Sequence, residues 1–361
     1  MVFNEFLAAK FTKELSAGSF TWQAPSNIAL VKYWGKKKDQ IPANPSVSFT
    51  LDTSRTITTL EYSRKKVPGG PVEFVLFFEG KKKEDFKPKI EQFFAKIEKY
   101  CAFLNNYSFV IRTANTFPHS SGIASSASGM SALALCIMSL EKELGPEMKE
   151  DFFNKKASFL ARLGSGSACR SINGELVVWG EHKNIINSSD LFGVPYPGKV
   201  HEIFRNYQDT ILLVDKGSKQ VSSSVGHNLM HRHPFAEERF RQAHENLDAL
   251  TNVFQNGDID KFIEIVESEA LTLHAMMMSS RPYFILMKPN TLEVINRIWE
   301  FRKETGLPVC FTLDAGANVH VLYPEKSKTN VFEFIKNELV AYCENEQYLC
   351  DRVGQGAKQE F

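Results

Sequence analysis

Four short blocks of this chain combine residue types and spacings that could do chemistry. In Pro118-His-Ser-Ser-Gly-Ile-Ala-Ser-Ser-Ala-Ser-Gly129, serine hydroxyls and small residues run straight into an apolar helix-like segment, residues 130–140. Small residues let backbone N–H groups approach an anion, and the first helical turn adds unpaired N–H donors and a positive dipole end, which suits phosphate. The same composition also caps an ordinary helix. No Gly-Lys-Ser or Gly-Lys-Thr follows, so this is not a Walker loop. In Ala24-Pro-Ser-Asn-Ile-Ala-Leu-Val-Lys-Tyr-Trp-Gly-Lys36, Lys32 and Lys36 flank Tyr33 and Trp34. That pattern makes either a receptor for a multiply charged anion or a strand ending in a basic turn.

The third block, Gly164-Ser-Gly-Ser-Ala-Cys-Arg170, places the hydroxyls of Ser165 and Ser167 and the guanidinium of Arg170 in one tight loop. An arginine fork matches a carboxylate, although a flexible surface loop reads the same way. Asp314 ends the buried-looking run 309–313 and precedes Ala315-Gly316, where either a catalytic base or a simple turn fits. His227, His231 and His233 have a spacing that could bind metal, but no acid or cysteine close in sequence completes a set, so no metal site is assigned. The lysine run 81–83 reads as a solvated turn, and the methionine run 276–278 as core packing.

These side chains need a scaffold, and 361 residues with 43% hydrophobic and 24% charged composition suffice for two ordinary globular domains. A net charge of +1 gives no overall electrostatic case for nucleic acid or an anionic membrane as partner. No run approaches the length of a membrane span, and the N-terminal residues mix acids and bases through their apolar positions, unlike a secretion signal. Six cysteines without a C-x-x-C pair fit reduced thiols in a cytoplasmic protein. The pattern predicts short strands and loops over 21–60, a strand at 72–78, a helix over 86–105, a strand at 107–112 feeding the serine block, and a helix over 149–163. Residues 187–207 read as a crossing between domains. Beyond it come a strand at 210–215, helices over 234–254, 259–277 and 289–305, and strands at 309–313 and 320–323. Alternation of strands and helices without a fixed repeat is an α+β pattern.

Taken together, Asn27-Ile-Ala-Leu-Val-Lys-Tyr-Trp-Gly-Lys36, residues 118–127, Gly164-Ser-Gly-Ser-Ala-Cys-Arg-Ser171, Ser222-Ser-Ser-Val-Gly226 and Phe311-Thr-Leu-Asp-Ala-Gly316 resemble the diphosphomevalonate decarboxylase family of the GHMP small-molecule kinase superfamily. The resemblance departs from the family pattern at His119-Ser-Ser121, at Ser224 and at His227, where a methionine is common. It implies an α+β GHMP kinase fold, with a ribosomal protein S5-like N-terminal domain (1–200), a ferredoxin-like C-terminal domain (201–361) and the active site in the cleft between them. It implies ATP-dependent decarboxylation of mevalonate 5-diphosphate to isopentenyl diphosphate, with Mg2+, by a homodimer. Asp314 is then expected as base or orienting group, Arg170 and Ser167 on the substrate carboxylate, and Lys32 at the transferring phosphoryl group. Tyr33, Lys36, Ser165 and Ser223 are expected on the substrate diphosphate, and Ser120, Ser121, Gly122, Ala124, Ser125 and Ser126 around the ATP phosphates. A mevalonate 5-phosphate decarboxylase, a 3-kinase or a non-catalytic metabolite-binding relative remains open on the same framework.

Overall fold

The structure is a computed structural model and describes residues 2–118, 123–217 and 223–360. Its first sheet rests on two long strands, β1 (Ala17–Val31) and β2 (Ser46–Arg64), joined by β3 (Glu73–Phe78), β4 (Lys81–Lys82), β5 (Tyr107–Asn115), β6 (Leu176–Trp179) and β7 (Val194–Pro195). The strand β12 (Lys358–Glu360) returns to pair with β1, giving the order β12-β1-β2-β5-β3-β4 with β6 on β2 and β7 on β6. A second sheet runs β11-β8-β10-β9, from β8 (Gln208–Leu212), β9 (Cys310–Thr312), β10 (Val319–Tyr323) and β11 (Tyr348–Arg352). The helices are α1 (Lys87–Ile97), α2 (Ser125–Leu144), α3 (Glu150–Gly164), α4 (Ser223–Leu229), α5 (Ala236–Asn256), α6 (Ile259–Met278), α7 (Pro289–Thr305) and α8 (Lys328–Phe334).

The length of β1 and β2 is what positions the site. Trp22, Ala24, Leu60 and Tyr62 pack into a core with α2 and α3, whereas Ile28, Leu30, Val47 and Phe49 pack into a second core with α5 and α6. Register shifts between Pro25 and Asn27, and between Ala29 and Val31, separate the two stretches of β1. Each strand therefore buries apolar surface in both halves of the molecule, and the segment following Val31 emerges where the halves meet. Ile211, Cys310 and Leu322 of the second sheet face this shared core, while α7 and α8 cover the sheet's other face through Val294, Ile298, Val331 and Phe334.

Three expectations from the sequence change. The short strands expected over 21–60 are parts of two continuous ones, because tertiary pairing carries β2 through the polar stretch around Asp52: Asp351 accepts the N–H groups of Asp52, Thr53 and Ser54 at 2.8–3.0 Å. The helix expected to run to 105 stops at Ile97 and continues as single 3-10 turns. The helix expected from Met130 starts at Ser125. Its serines gain tertiary partners that offset their weak helix propensity, Ser128 with Thr56 at 2.6 Å and Ser131 with the carbonyl of Ala168 at 2.7 Å. Among the described residues no helix is long and apolar enough to cross a membrane.

Candidate active site

Lys32 directly follows β1, and its backbone is clamped from three sides. Its N–H donates to Glu269 at 2.8 Å, while its carbonyl accepts from Arg239 at 3.0 Å and Asn44 at 2.9 Å. Glu269 and Arg239 are themselves a fully buried pair at 2.6 and 2.9 Å, and Asn246 donates to the same carboxylate at 2.7 Å. So fixed, the Lys32 ammonium donates to Asp314 Oδ1 at 3.1 Å. The lysine side chain is 2% exposed and the aspartate 31%, so the carboxylate forms the solvent-facing end of the pair. Burial pulls the Lys32 pKa down, with Asp314 and then Glu269 opposing and Arg170 adding to the fall. Asp314 follows β9 by two residues, and its carbonyl accepts from His274 Nε2 at 3.1 Å. Burial brings the His274 pKa down to about 4, so the ring is neutral near pH 7.

Arg170 closes a 3-10 turn, Gly166–Ser171, and is buried. It donates to Ser46 at 2.6 Å, to Ser48 at 3.0 Å and to Asn27 at 3.3 and 3.4 Å, and lies 5.8 Å from the Trp179 ring. All these acceptors are neutral, and among the described residues no carboxylate lies in ion-pair contact with it. A desolvated guanidinium oriented by neutral groups keeps its charge for an incoming anion. Ser167 is half-buried in the same turn, and its carbonyl accepts from Asn27 at 3.3 Å.

Tyr33 lies between Trp179 at 4.5 Å and His227 at 4.1 Å, tilted against both rings, and burial raises its pKa, so the phenol stays a donor. Position 166 is tight, since a Cβ there would lie 3.0 Å from the Tyr33 hydroxyl and from Trp179 and those rings would have to give way. Ser126 donates to Ser165 at 3.2 Å and accepts from Lys89 at 2.6 Å, which ties the third block to the start of α2. Lys36 is half-buried, and burial followed by the charge of Lys96 lowers its pKa. Lys96 donates to the carbonyl of Leu163 at 3.1 Å. Lys89 and Lys96 were missed in the sequence. The signal was a seven-residue spacing on α1, which puts both on one helical face.

The α2 N-terminus has no side-chain cap: Ala124 sits at its N-cap with φ 39°, and Ser125 and Ser126 form its first turn. Beside it lies a cavity of about 150 Å³ lined by Phe78, Phe86, Ile90, Lys89, Ser125 and Ser126. An apolar slot opening on free N–H groups, hydroxyls and a lysine fits a planar base joined to phosphates. A larger cavity of about 460 Å³, lined by Asp52, Glu175, Arg205 and Arg352 among others, contains none of the grouped side chains. Ser120, Ser121 and Gly122 lie outside the described residues, as does the side chain of Ser223, which starts α4. Two of the three spaced histidines are committed to the backbone: His227 accepts from Gly35 at 3.0 Å, and His233 bonds the Met276 carbonyl at 3.0 Å and accepts from Phe235 at 3.2 Å.

The diphosphomevalonate decarboxylase-like N-terminal domain matches residues 24–191, and the mevalonate 5-diphosphate decarboxylase C-terminal domain matches 210–359. A diphosphomevalonate decarboxylase of Gibberella zeae is 30% identical over 323 residues, 84% of this chain and 80% of its own length. That of Ganoderma lucidum is 28% identical over 342 residues, 89% of this chain and 82% of its own. Among solved structures, mevalonate diphosphate decarboxylase from Staphylococcus aureus superposes with a TM-score of 0.80 at 27% identity, covering 96% of this chain and 98% of that one. MDDEF in complex with MVAPP, AMPPCP and magnesium gives a TM-score of 0.80 at 27% identity over 96% and 99%. The two sheets with their helices are thus the GHMP kinase fold, and the chain belongs to the diphosphomevalonate decarboxylase family.

Proposed function

We propose that the chain converts mevalonate 5-diphosphate and ATP to isopentenyl diphosphate, carbon dioxide, ADP and phosphate. The observation that carries this reading is the buried Lys32 paired with an outward-facing Asp314, with the carboxylate-free guanidinium of Arg170 nearby. A tertiary hydroxyl is a poor leaving group. Once it bears the γ-phosphoryl group of ATP, the C–O bond can break with phosphate as leaving group while the bond to the carboxylate carbon supplies the electrons of the new alkene.

Each cluster of side chains suits one part of this reaction. Asp314 takes up or orients the hydroxyl proton, and Lys32 balances charge at the phosphoryl group in transfer. Arg170, assisted by the Ser167 hydroxyl, holds the substrate carboxylate until it leaves. Tyr33, Lys36, Ser165 and Ser223 hold the diphosphate. Ser125 and Ser126, with Ala124 at the N-cap and Lys89 alongside, receive the ATP phosphates, and the apolar slot receives the base. The serine hydroxyls at the start of α2 also suit Mg2+, which when bound would neutralise phosphate charge.

The deciding experiment follows carbon dioxide and ADP from purified protein with ATP and Mg2+, with mevalonate 5-diphosphate and mevalonate 5-phosphate supplied separately. Equimolar release of both products from the diphosphate is expected. ADP without carbon dioxide would make the protein a kinase, release only from the monophosphate would change the substrate, and neither product from either would leave a binding protein.

A further inference from the structure

Four rings and a guanidinium form one continuous row of tilted contacts across the site. Trp34 lies 4.6 Å from His227, His227 4.1 Å from Tyr33, Tyr33 4.5 Å from Trp179, and Arg170 lies 5.8 Å from the Trp179 ring. His227 is the only member contributed by α4. It is buried, and Gly226 beside it presses on Trp34 so closely that an added Cβ would sit 2.5 Å from the indole. The imidazole Nδ1 accepts the Gly35 N–H at 3.0 Å. That bond fixes the tautomer, since the proton of a neutral ring must then sit on Nε2. Nε2–H makes no hydrogen bond to any described residue, and it is not among the fully buried side-chain atoms left without a partner, so the donor is not sealed in the core.

The charged groups that act on this ring are Lys36 and Arg170, both cationic. They favour an anion in front of Nε2–H and disfavour an imidazolium. With burial as the larger cause, they bring the His227 pKa down to about 3. The ring is therefore a neutral donor near pH 7.

We propose that His227 is a substrate-binding residue whose Nε2–H donates to a phosphate oxygen of the substrate's diphosphate, alongside Tyr33 and Lys36. This deepens the functional reading above and rests on it. The donor is directional, and so adds orientation to the point charge of Lys36.

Three variants separate this role from packing. In His227→Asn the side-chain oxygen can take over the Gly35 bond, but nothing reaches the Nε2 position. His227→Gln places an amide donor near it, and His227→Phe keeps the ring stack without either polar atom. For His227→Asn and His227→Phe, KM for mevalonate 5-diphosphate should rise ~10- to 100-fold, the range for losing one hydrogen bond to a charged acceptor. Turnover and KM for ATP should stay within about threefold, and His227→Gln should recover most of the loss.

An unchanged KM in both His227→Asn and His227→Phe overturns the proposal. So does a fall in turnover with a comparable rise in both KM values that His227→Gln fails to rescue, because that pattern belongs to a packing role. Calorimetric titration with inorganic pyrophosphate keeps the two readings apart. Should the wild type release no carbon dioxide from mevalonate 5-diphosphate, the functional reading fails, yet weaker pyrophosphate binding by His227→Asn than by wild type would still support the donor, and equal binding would refute it.

Discussion

Replacing Asp314 by asparagine tests the core of the site, because it removes one charge at nearly constant volume. The Lys32–Asp314 contact is 3.1 Å. At an effective dielectric constant of about 20, two unit charges at that distance attract by ~5 kcal/mol. The aspartate side chain is 31% exposed, and solvent screening brings the figure to on the order of 2 kcal/mol. Burial already holds the lysine below its ordinary value, and Asp314 is the largest influence opposing that shift. Its removal therefore moves the Lys32 pKa further down, toward the working pH.

Two results follow for Asp314→Asn. Turnover at pH 7 falls ~10²- to 10³-fold, the scale for losing one well-placed catalytic electrostatic group, while ATP affinity changes less than about threefold. The residual activity also loses its alkaline limb at a lower pH than wild type, because Lys32 gives up its proton sooner. Stopped-time assays of carbon dioxide release from pH 6 to 10, with ATP binding measured by fluorescence competition, read both. Turnover within about threefold of wild type, or an alkaline limb that does not move, would refute the pairing of Lys32 and Asp314 as the reactive unit.

Arg170→Met should lower carbon dioxide release at least ~10²-fold while leaving the thermal midpoint unchanged or higher, since a buried guanidinium without a carboxylate partner costs stability that a thioether of similar length does not; a large fall in midpoint would instead make Arg170 structural. His227 and His274 are neutral in the folded state, with pKa values brought to about 3 and about 4, and titrate near 6.5 once unfolded. The unfolded chain therefore takes up protons first. Their stabilising contribution is complete above pH 6.5 and is lost as pH falls toward 4, by ~1.4 kcal/mol per pH unit for each ring. Urea unfolding at pH 7, 6 and 5 should show a shallower decline in His227→Phe than in wild type, and parallel declines would contradict the assignment.

Much of the site was legible because its groups lie in short blocks whose order survives any folding. Lys32, Tyr33, Lys36, Ser165, Ser167, Arg170 and Asp314 could each be nominated from residue type and local spacing, and the structure brings them to one place. Lys89 was not nominated, because its seven-residue spacing from Lys96 marks a solvated helical face as readily as one that bonds Ser126 at 2.6 Å. Glu269 and Arg239 were missed for a related reason. Buried opposite charges on two helices look, in sequence, like ordinary polar positions of α5 and α6, and only packing reveals that they grip the backbone of Lys32.

The fold class was readable from strand–helix alternation, but its long strands were not. Whether the polar stretch around Asp52 breaks a strand depends on Asp351, 299 residues away from Asp52 in the chain, accepting its backbone N–H groups. Likewise the serine and glycine block reads as loop until Thr56 and Ala168 supply partners for Ser128 and Ser131. The sequence by itself determined which chemical groups are present, the phosphate-suited helix start and the family to which they point, since these depend on residue type and on neighbours a few positions apart. Tertiary structure decided which of those groups meet, which way each faces and which protonation state it holds, because distance, burial and the sum of surrounding charges are set by residues that the chain separates and only the fold brings together.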